Sequence, residues 1–411
     1  MHTIYNIGIY LFELVCFVIK PFNKKVKTMI DGQKTAYKDI KKLDKKKKTA
    51  WFHCASLGEF EQARNLIEIF KEKYTQFQIL VTFFSPSGYE VRKNYKYADC
   101  ITYLPFDTPK KSKRFVKEVN ADIVFIIKYE FWFNYISSLK QTPLYSISLI
   151  LRQKHYLFKP YSCWFIKQLK CFDYFFVQDE LSKKLLQSKG FVNAIIAGDT
   201  RFDRVIKMSG EKKDFPNIRK FKNDKFVFLA GSSWPADEQI IGQMYKTIGS
   251  KELKLIIAPH IVDTNHINNL LSQFSNSIKL SELNEQNADK YNVLIIDCIG
   301  ILMYLYSLSD IAYIGGGFGV GIHNILEAAV FYKPVAFGPN NKKFREARIM
   351  LEINAAKEIN NAKELTLWTN KLIADKDYYN KTALLSGKYV QENSGATQKI
   401  IEQISQNECL R

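Results

Sequence analysis

The sequence predicts an α/β protein built from two doubly wound domains with parallel sheets. Three observations predict this class. First, short apolar runs alternate with helical patterns along the chain. Second, several of these runs are continuously apolar, as parallel strands buried on both faces are. Third, the alternation restarts after a polar stretch, which indicates a second domain. A length of 411 residues suits two domains of ordinary size, and 46% hydrophobic residues suffice to build their cores.

The first domain is predicted over residues 49–206. Its strands are expected at Ala50–Cys54, Phe77–Phe84, Asp122–Ile127, Pro143–Leu149, Tyr174–Val177 and Val192–Ala197. Helical patterns separate them, such as Glu59–Lys73 and Glu180–Lys189. Asp179 is the expected N-cap of the second of these helices, because its carboxylate can accept from the first free backbone amides.

A linker is predicted over residues 207–225, where lysines dominate and no long apolar run occurs. The second domain then covers residues 226–411, with its last helix free to pack back on the first domain. Its strands are expected at Phe226–Ala230, Leu253–Ala258, Asn292–Ile296, Ile311–Ile314 and Pro334–Phe337.

Residues 1–20 are predicted to form an apolar, membrane-associated helix. The run Ile4–Ile19 is slightly short for a membrane span, and it carries Asn6 and Glu13 on one helical face. No positive charge precedes the run, as a signal peptide would require, but eleven lysines follow in residues 21–48. We therefore expect a helix on the cytoplasmic membrane surface, followed by a lysine-rich segment attracted to anionic lipid. The alternatives are a full membrane span, or a core helix followed by a solvated lysine stretch.

Composition narrows the function classes. The formal net charge of +19 allows nucleic acid, anionic lipid or an anionic substrate as partner. No aromatic–glycine signature of RNA-binding domains accompanies the lysines, so nucleic acid is not expected. The seven cysteines are scattered without a Cys-x-x-Cys spacing and the six histidines form no ligand cluster, so we expect a reducing compartment with neither a metal site nor a disulfide framework. No cofactor is expected.

The most distinctive stretch is Asp310–Pro339. A strand at Ile311–Ile314 and a helix at His323–Phe331 are expected to flank a turn that is rich in glycine. The turn contains Gly315, Gly316, Gly317, Gly319 and Gly321. This spacing does not match the Gly-x-Gly-x-x-Gly dinucleotide fingerprint. A strand, a bare turn and a helix N-terminus predict an anion cradle of backbone N–H groups. The alternative is a tight turn without a ligand.

Polar residues follow nearly every predicted strand, at the sheet edge where doubly wound domains bind ligands. Glu59 lies at the start of a helix, whose dipole is expected to lower its pKa, and it is a candidate general base for a hydroxyl. Arg201 is a candidate for neutralising a leaving phosphate, and Glu327 for binding a ribose diol. Glu130 is a second candidate carboxylate, and His260 a candidate contact for a base or phosphate. Each candidate has a structural alternative. Glu59 would be a simple acid at a helix start, Arg201 a surface arginine and Glu327 a solvated helix residue. Glu130 would pair with a lysine, and His260 would be a structural histidine.

Six sequence blocks resemble, in order, motifs of the bacterial 3-deoxy-D-manno-octulosonic acid (Kdo) transferases of lipopolysaccharide synthesis. The blocks are Trp51–Arg64, Phe83–Glu90, Tyr103–Pro109, Lys128–Asn134, Ala197–Asp203 and Gly315–Ala329. Any one block is short, but six in order over nearly the whole chain are specific. The resemblance implies a GT-B glycosyltransferase fold, with two Rossmann-like domains facing a cleft, the acceptor bound by the first and CMP-Kdo by the second.

The resemblance also implies roles for individual residues. Glu59 would be the general base on the acceptor hydroxyl, and Glu130 and Arg201 would assist the transition state. The residues implied on the acceptor side are Ser56, Gly58, Ser85 and Ser87. The residues implied in binding the CMP donor are Pro259, His260, Ile299, Gly300, Ile301, Gly316, Gly317, Asn324, Ile325, Leu326 and Glu327.

The implied reaction is an inverting, metal-independent transfer of Kdo from CMP-Kdo to a lipid A precursor (lipid IVA) at the cytoplasmic face of the bacterial inner membrane. The chain departs from the family pattern at His260, where the family has arginine, and at Ile301, where it has glutamate. Two other interpretations are another GT-B nucleotide-sugar transferase or epimerase, and a non-catalytic basic protein that binds a membrane surface or nucleic acid.

Overall fold

The computed structural model describes residues 1–159, 162–211 and 213–410. The chain divides into two compact units. The first unit comprises Met1–Arg204 and Ser394–Arg411, and the second comprises Val205–Asn393. The C-terminal segment therefore returns to the first unit.

The first unit is built around a parallel sheet with seven strands in the described part of the chain. In chain order they are β1 Lys48–His53, β2 Phe77–Phe83, β3 Cys100–Tyr103, β4 Ile123–Ile127, β5 Leu144–Leu149, β6 Tyr174–Val177 and β7 Ala194–Ile196. The spatial order is β3-β2-β1-β4-β5-β6-β7. This order reverses between β1 and β4, so a crevice forms beyond the carboxyl ends of these two strands.

Helices cover both faces of this sheet, as a parallel sheet requires. They are α1 His2–Ile19, α2 Lys24–Asp39, α3 Leu57–Lys73, α4 Pro86–Arg92, α5 Pro109–Val119, α6 Phe133–Ser138, α7 Cys163–Leu169, α8 Glu180–Gln187 and α9 Thr200–Ser209, the last crossing into the second unit. The predicted cap of α8 is confirmed, because the backbone N–H of Ser182 donates to Asp179 Oδ1 at 2.8 Å. Phe52 and Phe125 stack at a ring distance of 4.5 Å in the core.

The second unit contains another parallel sheet, again with seven strands among the described residues. They are β8 Phe226–Ser233, β9 Leu253–Pro259, β10 Ser277–Lys279, β11 Val293–Ile295, β12 Ile311–Ile314, β13 Val335–Phe337 and β14 Ala356–Glu358. The spatial order β10-β11-β9-β8-β12-β13-β14 reverses between β8 and β12. The helices are α10 Pro216–Lys222, α11 Pro235–Ile248, α12 Thr264–Gln273, α13 Leu302–Leu308, α14 Leu326–Ala329, α15 Arg345–Glu352, α16 Ala362–Ala374 and α17 Lys376–Glu392.

The predicted linker at residues 207–225 is not a linker. It contains the end of α9 and the whole of α10, and it belongs to the second unit. Ile218 and Phe221 of α10 are fully buried. Two apolar positions three residues apart in a lysine-rich stretch were too few to indicate a helix that packs on a core.

The segment of residues 21–48 is also part of a folded unit rather than a free tail. Met29, Ile30 and Ala36 of α2 are buried against the first unit. Gly32 lies against the ring of Tyr103, where an added Cβ would come within 2.2 Å of a ring carbon. The lysines of this segment therefore project from a packed helix.

Helix α1 packs on the first unit through its polar residues. Tyr5 Oη donates to Asp107 Oδ2 at 2.6 Å, and Asn134 Nδ2 donates to Asn6 Oδ1 at 2.9 Å. Glu13 forms an ion pair with Lys111. Asn6 and Glu13, which the sequence placed on one face, thus both contact the domain.

The opposite face of α1 is apolar and exposed. The side chains of Ile4, Ile7, Leu11, Leu14 and Val18 are each between 58% and 65% exposed. By length and composition α1 is able to cross a membrane, and it is the one such helix found in the described part of the chain. The inward face of α1 thus combines polar contacts with the buried Ile9 and Cys16, whereas its outward face is apolar, unlike that of an ordinary surface helix.

The last α-helix, α18 (Ala396–Ile404), packs on the first unit. Ile400 and Ile404 are fully buried, in the same core cluster as Ala50 of β1. The Asp203 carboxylate accepts from the backbone N–H of Thr397 at 2.6 Å and from that of Gly395. One carboxylate at the end of the first unit's main segment thus caps a helix nearly 200 residues later.

Candidate active site

In the first unit, the loops that follow β1 and β2 are joined to each other. The backbone N–H of Ser85 donates to Ala55 O at 2.7 Å, and Ser85 Oγ lies 2.9 Å from Ser87 Oγ. Ser56 is the N-cap residue of α3, and an added Cβ at Gly58 would meet nothing within 4 Å. The four predicted acceptor-side residues therefore lie together at the carboxyl ends of adjacent strands, and Gly58 borders open space.

Glu59 lies in the first turn of α3 and is buried, with 8% of its surface exposed. Its Oε2 accepts from the backbone N–H of Ala55 at 2.6 Å. Burial raises the pKa of Glu59, although the charge of Lys128 and the amides of Ala55 and Ser56 oppose the shift. The expectation that the helix dipole lowers this pKa is therefore wrong, because removal from water outweighs the favourable local field.

Glu130 lies in the loop after β4, on the other side of the crevice. Burial, assisted by the negative charge of Glu59, raises the pKa of Glu130 to about 7. The fold thus brings together two carboxylates that are 71 positions apart in the sequence. Paired carboxylates with raised pKa values are typical of acid–base sites.

Lys128 completes this cluster and was not singled out as a candidate. Its charge lowers the pKa of both Glu59 and Glu130. Its backbone has φ of 59°, in the left-handed region. The Lys128 N–H donates to Ile147 O at 2.8 Å and its carbonyl accepts from Ser146 Oγ at 3.1 Å, which holds this unfavourable conformation in place.

Arg201 follows β7, and its guanidinium is paired with a buried carboxylate. Its Nε and Nη2 donate to Asp199 Oδ2 at 2.9 and 2.7 Å. The pKa of Asp199 is lowered even though burial opposes it, because Arg201 stabilises the ionised form. Gln62 Nε2 donates to Asp199 Oδ1 at 3.3 Å, which ties this loop to the helix that carries Glu59.

In the second unit, the glycine turn follows β12 at the reversal of the strand order. The N–H of Gly316 donates to Asp237 Oδ2 at 2.8 Å, and those of Gly319 and Gly321 donate to Gly316 O at 3.0 and 2.9 Å. These three N–H groups already donate within the protein, so they do not serve as donors of the predicted anion cradle. The helix after the turn, α14, begins at Leu326 and is only four residues long, not the predicted His323–Phe331.

Close backbone packing explains why the turn needs glycine. A Cβ on Gly315 would lie 2.2 Å from Ser232 O, and one on Gly317 would lie 2.5 Å from Gly338 N. Gly316 has φ of +91°, which a larger residue rarely adopts. The turn therefore packs directly on the end of β8 and on the loop after β13.

Three aromatic rings surround the same crevice. Trp234 follows β8 and stacks on His260, which follows β9, and His260 stacks in turn on His323, which follows the glycine turn. Asp237 lies below them, fully buried, and accepts from Tyr313 Oη at 2.8 Å. Trp234, Asp237 and His323 were missed by the sequence analysis, although each lies just after a strand or a glycine turn.

The other residues predicted to bind the donor differ in their surroundings. Asn324 Nδ2 donates to Glu327 Oε1 at 3.0 Å, which places two polar groups at the start of α14. The side chains of Ile325 and Leu326 are fully buried and pack in the core. Pro259 ends β9, and the residues Ile299, Gly300 and Ile301 lie in the loop between β11 and α13. No group of three or more potential metal-ligating side chains occurs among the described residues.

Solved structures show the fold. UDP-GlcNAc 2-epimerase from Neisseria meningitidis bound to UDP-GlcNAc is 18% identical, with a TM-score of 0.61, and the match covers 88% of this chain and all of that one. A glycosyltransferase from Rickettsia africae is 14% identical, with a TM-score of 0.54 over 88% of this chain and 98% of that one. The chain has the GT-B glycosyltransferase fold, with two Rossmann-like domains.

Sequence comparisons show which proteins the chain is similar to. A family model described as 3-deoxy-D-manno-octulosonic-acid transferase (kdotransferase) matches residues 32–204. A 3-deoxy-D-manno-octulosonic acid transferase from Haemophilus influenzae is 26% identical over 86% of this chain and 85% of its own length. A bifunctional glycosyltransferase/methyltransferase from Fusobacterium nucleatum is 29% identical over 79% of this chain, which spans only 52% of that protein. The chain thus matches the Kdo transferase family model over residues 32–204 and is similar to Kdo transferases over most of its length.

Proposed function

We propose that this protein transfers Kdo from CMP-Kdo to a lipid A precursor (lipid IVA), with inversion at the anomeric carbon, in lipopolysaccharide synthesis. The proposal is supported by the match to Kdo transferases over most of the chain. The observation that carries the chemistry is the pairing of the buried Glu59 with the half-buried Glu130 beyond the carboxyl ends of β1 and β4.

Glu59 is the proposed general base. The acceptor hydroxyl oxygen forms a bond to the anomeric carbon of Kdo while the bond from that carbon to the CMP phosphate breaks. The hydroxyl proton passes to Glu59, and CMP leaves with the bonding electron pair. A carboxylate with a raised pKa holds this proton better than an ordinary one, because its proton affinity is closer to what the transfer requires.

Glu130 and Lys128 have supporting roles in this proposal. The transition state carries positive charge on the sugar ring, which an ionised carboxylate stabilises. With a pKa of about 7, Glu130 is partly ionised at neutral pH. The charge of Lys128 favours the ionised form of both carboxylates. Arg201 supports the site through its pair with Asp199.

The second unit is proposed to bind CMP-Kdo at the crevice between β8 and β12. The predicted donor residues near this reversal are His260, Gly316, Gly317, Asn324 and Glu327. Ligands of open α/β sheets bind at such points. The proposal includes no metal ion and no cofactor, so the charge of the leaving phosphate has to be balanced by hydrogen-bond donors of the protein.

We propose the cytoplasmic face of the inner membrane as the place of action, with anionic lipid as a partner and no nucleic acid. The exposed apolar face of α1 supports a helix that lies on the bilayer while its polar face stays bound to the protein. The lysines of residues 21–48 lie on the next helix and its flanks, where they attract anionic head groups.

The test of the proposed reaction is a transfer assay with tetra-acylated lipid A precursor and CMP-Kdo generated in situ. Mass spectrometry of the lipid reports the number of Kdo residues added. We expect product with this pair and none with UDP-linked sugars. Folded protein that is inactive with CMP-Kdo but active with another sugar nucleotide would instead support the alternative GT-B transferase.

The membrane proposal is tested by flotation with phosphatidylglycerol vesicles. The variant Leu11→Asp/Leu14→Asp places two charges on the exposed apolar face of α1 and is expected to abolish flotation. Val192→Asp is the matched control, since Val192 is 93% exposed elsewhere on the first unit. Equal flotation of both variants would contradict the role of α1.

A further inference from the structure

The stacked rings of the second unit come from three separate chain segments. The ring centroids of Trp234 and His260 are 4.7 Å apart with planes 20° from parallel. Those of His260 and His323 are 4.6 Å apart with planes 27° from parallel. His260 is thus held between an indole and a second imidazole, at the carboxyl ends of the strands where the strand order reverses.

A hydrogen bond links the two outer rings. Trp234 Nε1 lies 3.2 Å from His323 Nε2. An indole N–H is only a donor, so His323 Nε2 is the acceptor and carries no proton. Burial, assisted by His260, lowers the pKa of His323 to about 4, so the ring is neutral at physiological pH. A neutral imidazole with a bare Nε2 carries its proton on Nδ1.

The Nδ1–H of His323 is therefore a hydrogen-bond donor without a partner in the described part of the chain. Three backbone donors of the glycine turn are already engaged, since the N–H groups of Gly316, Gly319 and Gly321 are bonded within the protein. The neighbouring carboxylate, Asp237, accepts from the backbone N–H of Trp234 at 2.9 Å, from the backbone N–H of Gly316 and from Tyr313 Oη. Its charge is thus satisfied internally.

We propose that Trp234 is a positioning residue that fixes His323 as the Nδ1–H tautomer, and that this N–H donates to an anionic oxygen of the bound nucleotide sugar. The ligand half of this inference rests on the proposed function. The oxygen belongs either to the phosphate of the nucleotide or to the carboxylate of the sugar, which offer the same chemistry. A neutral donor of fixed direction serves this purpose because it needs no protonation step.

The tautomer is tested by long-range ¹H–¹⁵N correlation spectra of protein labelled with ¹⁵N-histidine. We expect His323 to be the Nδ1–H tautomer in the wild type and to shift toward Nε2–H in Trp234→Phe, which keeps an aromatic ring but lacks the N–H. His266 is the internal control. Its Nε2 lies 3.0 Å from the acceptor Glu238 Oε1, so the Nε2–H of this ring should be retained in both the wild type and Trp234→Phe. An Nε2–H tautomer of His323 in the wild type, or no change in Trp234→Phe, would overturn the assignment.

The ligand half is tested by calorimetric titration with CMP and with cytidine. Asparagine places an amide near the Nδ1 position and glutamine near the Nε2 position. We therefore expect His323→Gln to lose at least about tenfold in CMP affinity and His323→Asn to retain most of it. Trp234→Phe should fall between them, and cytidine affinity should not change in any variant.

The outcomes separate the two anion sources. A loss that appears in kcat/KM for CMP-Kdo but not in CMP affinity assigns the sugar carboxylate as the partner. Equal behaviour of His323→Asn and His323→Gln in both measurements would overturn the ligand half. A wild type that binds neither CMP nor CMP-Kdo would refute this half together with the proposed function, whereas the spectrum decides the tautomer separately.

Discussion

At the scale of single residues, Glu130 gives a prediction about stability. Its pKa is about 7 in the folded protein and 4.5 in an ordinary setting. The folded state therefore binds this proton more tightly than the unfolded state, so the contribution of Glu130 to stability falls as pH rises between these values and stays lost above them. Glu130→Gln removes the buried charge and its repulsion with Glu59.

We expect Glu130→Gln to raise the free energy of unfolding by about 1–3 kcal/mol at about pH 8.5 and to change it little at about pH 5. Urea unfolding at both pH values measures the difference. A change of equal size at the two pH values would show that packing, rather than the charge of Glu130, is responsible.

The identity of Glu59 as a candidate base could be predicted from its place after a strand and at the start of a helix. The direction of its pKa shift could not. The sequence shows the helix start, which lowers a carboxyl pKa, but not the burial, which raises it more. The pairing with Glu130 depends on β1 and β4 being neighbours, and that is a property of the sheet order.

At the scale of elements, the glycine turn contains both a glycine that packs against backbone atoms and a glycine that borders open space. Gly317→Ala would place a Cβ 2.5 Å from Gly338 N, whereas Gly319→Ala meets nothing within 4 Å. We expect the first substitution to cost about 1–3 kcal/mol in stability and the second to cost little, as for overpacked and open sites generally. Thermal unfolding of the two variants tests this. Equal stability would mean that the turn is not packed as described.

The returning helix α18 depends on Asp203. Asp203→Asn weakens two hydrogen bonds to backbone N–H groups at the start of this helix, so we expect a loss of about 1–2 kcal/mol. Hydrogen exchange should be faster in α18 than in the wild type. Asp224→Asn, at an exposed position, is the control and should leave α18 unchanged. Unchanged exchange in Asp203→Asn would contradict the capping role.

Eleven strands were predicted from short apolar runs, and their positions agree with the structure to within three residues at either end. The missed strands β10 and β14 each bury only one residue and so show no apolar run, and in β3 the polar Thr102 interrupts a run of four residues. The residues just before α14 were predicted to be helical from the spacing of apolar residues, but they are not helical. The His323 N–H donates to Gly315 O at 3.2 Å, so the chain at His323 is hydrogen-bonded to the start of the glycine turn.

At the scale of the whole molecule, the two-domain plan could be predicted because each sheet depends on local apolar runs and the alternation restarts. The packing of α1 and the return of α18 depend on contacts between distant positions, such as Tyr5 with Asp107 and Asp203 with Thr397. No local pattern encodes these partners. Helix α10 was missed for a related reason. It lies in a lysine-rich stretch, and the core residues that bury it lie elsewhere in the sequence.

The central claim is that Glu59 takes the proton from the acceptor hydroxyl. The most direct measurement is the rate of Kdo transfer from CMP-Kdo to the lipid A precursor by Glu59→Gln, compared with Glu72→Gln. Glu72 is exposed on the same helix, so the control makes the same change of charge. The account predicts a fall in kcat of at least about 100-fold for Glu59→Gln and a wild-type rate for Glu72→Gln. Equal, wild-type activity of the two variants would contradict it.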